Sequence, residues 1–303
     1  MALVKRAAMG IAAAGTAAAI RPLTRAARAA SADEPRYRGY RDADLAQPYA
    51  KYMKAHTDPA PAPVHDAVAA GPVDPGLIPD RAALAAEFHD PGYSPVETGY
   101  GRTRSGQVWV ACLTDMPRVD PEMWDWWFAW HSVESARYKL WHPDGHRYSS
   151  LKAGPLAHRV DLQDRERYRG TVSYVDEEIG GHLDELAITF RDPAALGIDL
   201  DRVDGTVICG RVGGALLPVN VGMVCHQVRR TATGSEMRSR FYLNVPSVRR
   251  PDLVGALRAV RRGLTPPPRL PFPTAFGADL LLHCGEEMHH LAQFLPELHA
   301  EFS

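Results

Sequence analysis

The chain has almost no net charge, with 35 lysines and arginines against 36 aspartates and glutamates in 303 residues. Without a basic field to neutralise phosphates, nucleic acid is excluded as a partner. Cysteine is scarce and scattered. Cys112, Cys209, Cys225 and Cys284 form no CxxC pair, which argues against a disulfide framework and a thiolate zinc knuckle. Reduced thiols in a cytoplasmic protein fit that usage. No run of 18 or more strongly apolar residues is present, so no membrane association is expected. Internal repeats are also missing.

The first segment has its own texture. Met1 to Ala32 holds Lys5, Arg6, Arg21, Arg25 and Arg28, a run of alanines and no acid. A basic start, an apolar stretch and Ala30-Ser31-Ala32 are features of an export signal. The stretch is mostly alanine, however, and arginines occupy the place where a cleavage region is neutral. A disordered or loosely helical extension is the other reading of residues 1–32, and export is the alternative to a cytoplasmic location. Residues 33–105 read as an arm with short helices. Within it, Thr57 to Pro79 is rich in Pro, Ala and Gly and reads as an irregular connection, and Arg81 to Phe88 is a short helix.

From about residue 106 the chain turns to short β-rich runs: QVWVACLT, RYKLW, GTVSYV, LAITF, GTVICGRV, PVNVGMVCHQV and MRSRFYLNV. Turn residues separate them and no repeating helices intervene, so the sheet is expected to be antiparallel and the class α+β. One helix is expected from Asp120-Pro121 through MWDWWFAWHS. A second, from about Thr274 to Phe302, has an apolar face through Leu280, Cys284, Met288, Leu291 and Leu295. A curved sheet gripping that helix would leave a cavity for a small ligand.

The last helix contains His283-Cys284-Gly285-Glu286-Glu287-Met288-His289-His290. Residues four apart share a helix face, so His283 and Glu287 present an imidazole and a carboxylate side by side, two suitable ligands for Zn²⁺. Both border the apolar stripe, where an unpartnered carboxylate is costly. His289 and His290 read as outward-facing neighbours. Between Trp126 and Tyr148 lie three more histidines. His131 reads as a core histidine among tryptophans, whereas His142 and His146 flank the Pro143-Asp144-Gly145 turn, and either one can reach a cavity mouth. Acids in the Val175-Asp176-Glu177-Glu178-Ile179 run are ordinarily solvated, but one aimed inward would complete a four-ligand shell.

The segment LTDMPRVDPEMWDWWFAWHSVESARYKLWHPDGH, the VDEEIG turn and the ending HCGEEMHHLAQFLPEL resemble the 2,4-diacetylphloroglucinol hydrolase and phloretin hydrolase family, over roughly Gly99 to the C-terminus. The resemblance implies a helix-grip fold of the Bet v 1 type, placed here over residues 106–303, and one zinc ion held by two histidines and two glutamates. His283 and Glu287 match the family's HxxxE pair. His146 matches its upstream histidine better than His142 does, and Glu177 its first glutamate, with Glu178 as the fallback. A small phenolic ketone as substrate and a homodimer are also implied.

That family's chemistry cleaves the bond between an acyl group and a phloroglucinol-type ring, which requires activated water, a proton shuttle and donors for phenolic oxygens. His226 in MVCHQV is the shuttle candidate. Strict alternation places it with Asn220, Gly222 and Val224, opposite Val221, Met223 and Cys225. Tyr138 and Tyr242 resemble tyrosines that the family points at the substrate. Competing readings are a metal-dependent phenolic decarboxylase or cyclase, a structural zinc, and a metal-free carrier of aromatic or lipid ligands. A carrier has no use for two carboxylates in its cavity.

Overall fold

The computed structural model describes residues 36–151, 159–215, 219–248 and 271–303; the extension expected at 1–32 lies outside them. Eight strands form one antiparallel sheet: β1 Gly99–Arg102, β2 Val108–Pro117, β3 His146–Leu151, β4 Val172–Ile179, β5 His182–Arg191, β6 Gly205–Gly214, β7 Val219–Thr231 and β8 Gly234–Val248. Their order is β1-β2-β8-β7-β6-β5-β4-β3. Strands β3 to β8 are therefore a meander, and the β1–β2 hairpin closes onto its last strand. The helices are α1 Asp42–Leu45, α2 Ala62–Ala70, α3 Leu84–His89, α4 Pro121–His131, α5 Ser135–Lys139, α6 Asp164–Tyr168, α7 Ala275–Ala292 and α8 Leu295–Phe302.

Helix α7 packs along β1 and β2 and reaches β4, with Leu281, Cys284, Met288 and Leu291 fully buried beneath it. Gly285 permits the close approach of α2, because a Cβ there would lie 2.8 Å from a methyl of Val64. Helix α4 closes one end of the sheet. Its Trp124 and Trp127 are wholly buried, and truncating either to alanine would cost about 3–5 kcal/mol. This sheet wrapped around a C-terminal helix is the helix-grip, Bet v 1-like arrangement. No helix among the described residues is long and apolar enough to cross a membrane.

The two faces of the sheet bury different cores. On the inner face, toward α7, Leu186, Ile188 and Phe190 of β5 and Phe241 and Leu243 of β8 line a cavity. On the outer face, Trp109, Met223, Cys225 and Tyr242 pack under Ile78, Leu84 and Phe88 of the preceding arm. The sheet begins at Gly99 and the arm covers its back, so the sheet reaches into the stretch read as arm.

Four local expectations give way. RYKLW is helical, not a strand: in α5 and the turn after it, Tyr138 and Trp141 share a face and both line the cavity, which strand alternation forbids. The Pro-rich connection contains α2, with Pro63 in its first turn, where a missing N–H costs nothing. The C-terminal helix breaks at Phe294 (φ −136°), because Pro296 can neither donate to nor fit against the carbonyl of Ala292. In β7 a register shift between Asn220 and Gly222 turns Val221 inward beside Val224 and His226, while Asn220 bonds Ser247.

Candidate metal centre

Three elements converge on one end of the cavity. His146 opens β3 and is the Cα partner of Glu177 on β4; His283 and Glu287 lie one turn apart on α7. His146, Glu177 and His283 offer ligand atoms all within 4.8 Å of one another. Glu287 Oε2 joins them, 3.4 Å from His146 Nε2 and 3.9 Å from His283 Nε2. Glu177 Oε2 stands 4.0 Å from His283 Nε2. Ligand atoms about 2.0–2.1 Å from a tetrahedral ion lie roughly 3.3 Å apart, and the separations of 3.4, 3.9 and 4.0 Å approach that spacing.

The donor chemistry fits a divalent cation. His146 and His283 are buried, and neither Nε2 has a hydrogen-bond partner. His146 Nδ1 sits 3.0 Å from the Tyr138 carbonyl, which fixes the tautomer that leaves Nε2 as a lone-pair donor. Burial holds both imidazoles well below their ordinary pKa, with His142 adding to the effect, so both are neutral and able to donate a lone pair. Burial also pushes Glu177 up to about 7 against the hydrogen bond from Tyr138. It drives Glu287 well above its usual range, with Glu177 adding to the rise. Two carboxylates turned into one cavity, with no lysine or arginine among its described lining residues, are what a bound cation would neutralise.

The neighbours settle which of the paired candidates point at the cluster. Glu178 turns to the other side of β4, where it binds Arg38 and Arg147. Alternation sends Glu177 inward with Val175 and Ile179. His142 accepts the Gly145 N–H at 2.8 Å through Nδ1 and approaches Glu286 through Nε2, so its nitrogens are occupied. Its ring stacks on His283 at 4.5 Å. Gly145 makes room for that stack, since a Cβ there would fall 2.9 Å from His142 Nδ1 and 3.0 Å from His283 Cε1.

The other candidates separate by face. Tyr138 lines the cavity, donates its hydroxyl to Glu177 Oε1, and lays its ring flat on His146 at 3.8 Å. His226 lines the same cavity, with Nδ1 held 2.8 Å from Ser239 Oγ and burial pushing it down to about 3. Tyr242 does not join them. It lies on the outer face, its hydroxyl 3.3 Å from the Pro79 carbonyl, because its neighbours Phe241 and Leu243 take the inward positions of β8. His131 binds the Trp127 carbonyl through Nδ1 yet also touches the cavity. His290, expected to face outward, is fully buried against Asp58. Sequence reasoning missed Asp184, which shares the inward face of β5 with Leu186, Ile188 and Phe190; that spacing was the available signal.

Fold and site together define a helix-grip protein with a candidate metal centre opening into an apolar cavity. Comparison with known proteins sharpens the class. The sequence profile of the DAPG hydrolase PhiG domain matches residues 80–300, and the chain belongs to that family of hydrolases. It is 30% identical over 259 residues to phloretin hydrolase of Eubacterium ramulus, covering 84% of this chain and 89% of that protein. It is 27% identical over 272 residues to 2,4-diacetylphloroglucinol hydrolase of Pseudomonas protegens, covering 84% and 85%. Among solved structures, Ara h 8.0201 matches with a TM-score of 0.36 at 11% identity, over 63% of this chain and 99% of that one.

Proposed function

We propose that this protein is a zinc-dependent hydrolase of acylphloroglucinols, cleaving the C–C bond between acyl group and ring to give a carboxylic acid and the free phenol. The observation that supports the reading is the convergence of His146, Glu177, His283 and Glu287 on one end of an apolar cavity, with both imidazole Nε2 atoms unpartnered. The relatives' names supply the substrate class. A metal-free carrier is disfavoured by the two inward carboxylates.

The reaction adds water across an aryl–acyl bond. Protonation of the ring carbon bearing the acyl group gives a 1,3-diketone; water then adds to the acyl carbonyl, and the ring leaves as an enolate that regains aromaticity. When bound, zinc supplies a Lewis acid for the carbonyl and lowers the pKa of water from about 16 to about 7. The two glutamates match the ion's double charge, so the shell is neutral overall. Tyr138 fixes Glu177 through its hydroxyl and the plane of His146 through stacking. Phe241, Leu243, Leu186 and Phe276 enclose the ring and keep bulk water from the enolate. His226, anchored by Ser239 and neutral, takes a proton from a phenolic hydroxyl and delivers it to the ring carbon, where it stays as the C–H of the released phenol.

The test is to purify the protein, measure its metal content, and follow acid release from mono- and diacylphloroglucinols in wild type, His146→Ala and Glu287→Ala. Both variants are expected to lose zinc and about 1,000-fold or more in activity while keeping the wild-type circular dichroism spectrum. Full zinc occupancy in His146→Ala would remove that residue from the shell. An active, metal-free wild type would end the mechanism.

A further inference from the structure

Asp184 is the one carboxylate on the inward face of β5. It is the Cα partner of Glu177 and lines the same cavity. Among the described residues its carboxylate forms no hydrogen bond or ion pair, and Oδ2 is sealed from solvent. The acids on the opposite face of neighbouring β4 are handled differently: Asp176 is bound by Arg36, and Glu178 by Arg38 and Arg147. A carboxylate set against Leu186 and Ile188 without a donor carries an uncompensated desolvation penalty, which a donor brought by the ligand would relieve. Nothing beside Asp184 among the described residues of the cavity wall is cationic, so the donor it suits there is a neutral O–H. Directly paired residues on adjacent strands hold their side chains about 5 Å apart, a span that one aromatic ring with its substituents covers. A ring whose acyl oxygen faces the four-residue cluster therefore brings a ring hydroxyl to Asp184.

We infer that Asp184 accepts the hydrogen bond of a phenolic hydroxyl and selects ligands by the hydroxylation pattern of the ring. The inference deepens the acylphloroglucinol reading and rests on it for the orientation of the ring. A charge-assisted bond to a buried carboxylate is stronger than a neutral one, and a site built to receive a hydroxyl rejects the analogue that lacks it.

The experiment uses zinc-loaded wild type, Asp184→Asn and Asp184→Leu, with 1,3,5-trihydroxybenzene and 1,3-dihydroxybenzene as probes. Binding is followed by calorimetry, zinc content is measured in each protein, and acylphloroglucinol turnover is assayed in parallel. Wild type is expected to bind the triol about tenfold or more tighter than the diol. Asp184→Asn should narrow that ratio and Asp184→Leu should abolish it, with zinc content unchanged in both. A preference that persists in Asp184→Leu overturns the inference, as does loss of zinc in Asp184→Asn, which would place Asp184 in the ion's shell. Should wild type show the Asp184-dependent preference but turn over no acylphenol, the hydroxyl-reading role stands and the cleavage reading alone falls. Turnover without that preference would overturn the hydroxyl-reading role and leave the cleavage reading standing.

Discussion

Arg238 and Arg240 on the outer face of the sheet are as deeply buried as His146 and His283 on the inner face, yet the chain treats the two groups in opposite ways. Outside, Arg238 binds both oxygens of Glu97, along with Gln227, Ser94 and the Glu87 carbonyl, and Arg240 binds Glu87 and Glu97. Glu87 Oε2 alone in that network lacks a partner. Burial would raise Glu97, but the two arginines overcome it and hold the carboxyl at about 2. Inside, two imidazoles and three carboxylates meet with no cationic side chain among them, and the pKa shifts of Glu177 and Glu287 run the other way. Buried charge that is complete without a ligand is architecture, whereas buried polar atoms that remain incomplete mark a place where something binds.

That contrast breaks most sharply on two matched substitutions. Glu287→Gln is expected to cut acylphloroglucinol hydrolysis by about 1,000-fold or more while leaving the urea midpoint of chelated protein unchanged or higher, since it removes an uncompensated charge. Glu97→Gln should do the reverse, costing about 3–5 kcal/mol of stability by stranding buried guanidinium charge, with kcat of the folded protein within about twofold of wild type. A Glu97→Gln variant that folds normally but is inactive would erase the distinction between the faces.

The pH dependence of stability sharpens it further. Glu97 has a folded pKa of about 2 against an ordinary 4.5, so its stabilising contribution is complete above about pH 4.5 and is lost as pH falls toward 2. Urea midpoints measured across that window should fall more steeply for wild type than for Glu97→Gln. Next in size, Tyr138→Phe removes the hydroxyl on Glu177 but keeps the ring on His146. Zinc affinity, read by competition with a chelator, should drop about 10- to 100-fold with no change in fold. Smallest is Tyr242→Phe, which loses one hydrogen bond on the outer face. It should cost about 1 kcal/mol and leave kcat/KM within about twofold; a tenfold loss would put Tyr242 back in the reaction.

The sequence was legible where one periodicity ran undisturbed. Helix α7 keeps its three- and four-residue spacing from Leu280 to Leu291, so the pairing of His283 with Glu287 follows from the pattern alone. Glu177 was named only through the family resemblance, with Glu178 as the fallback, although Val175 and Ile179, two residues either side of it, carried the alternation that turns it inward. The failures fall where geometry departs from an ideal period. The register shift in β7 reverses the facing of Asn220 and Val221, and no residue type announces it. RYKLW has strand-forming residues, but the burial of Tyr138 and Trp141 on one side makes it helical. His142 and His146 differ only through a turn in which the Gly145 N–H occupies the former. The burial of His290 is invisible to local pattern because its partner, Asp58, lies 232 residues earlier in the chain.

The four converging side chains are far apart in the order of synthesis. His146 and Glu177 come from the middle of the chain and pair across adjacent strands, but His283 and Glu287 leave the ribosome only after every strand has been made. The donor set is therefore complete only once the final helix has been made. A chain cut short before that helix would encode all eight strands and only half the donors.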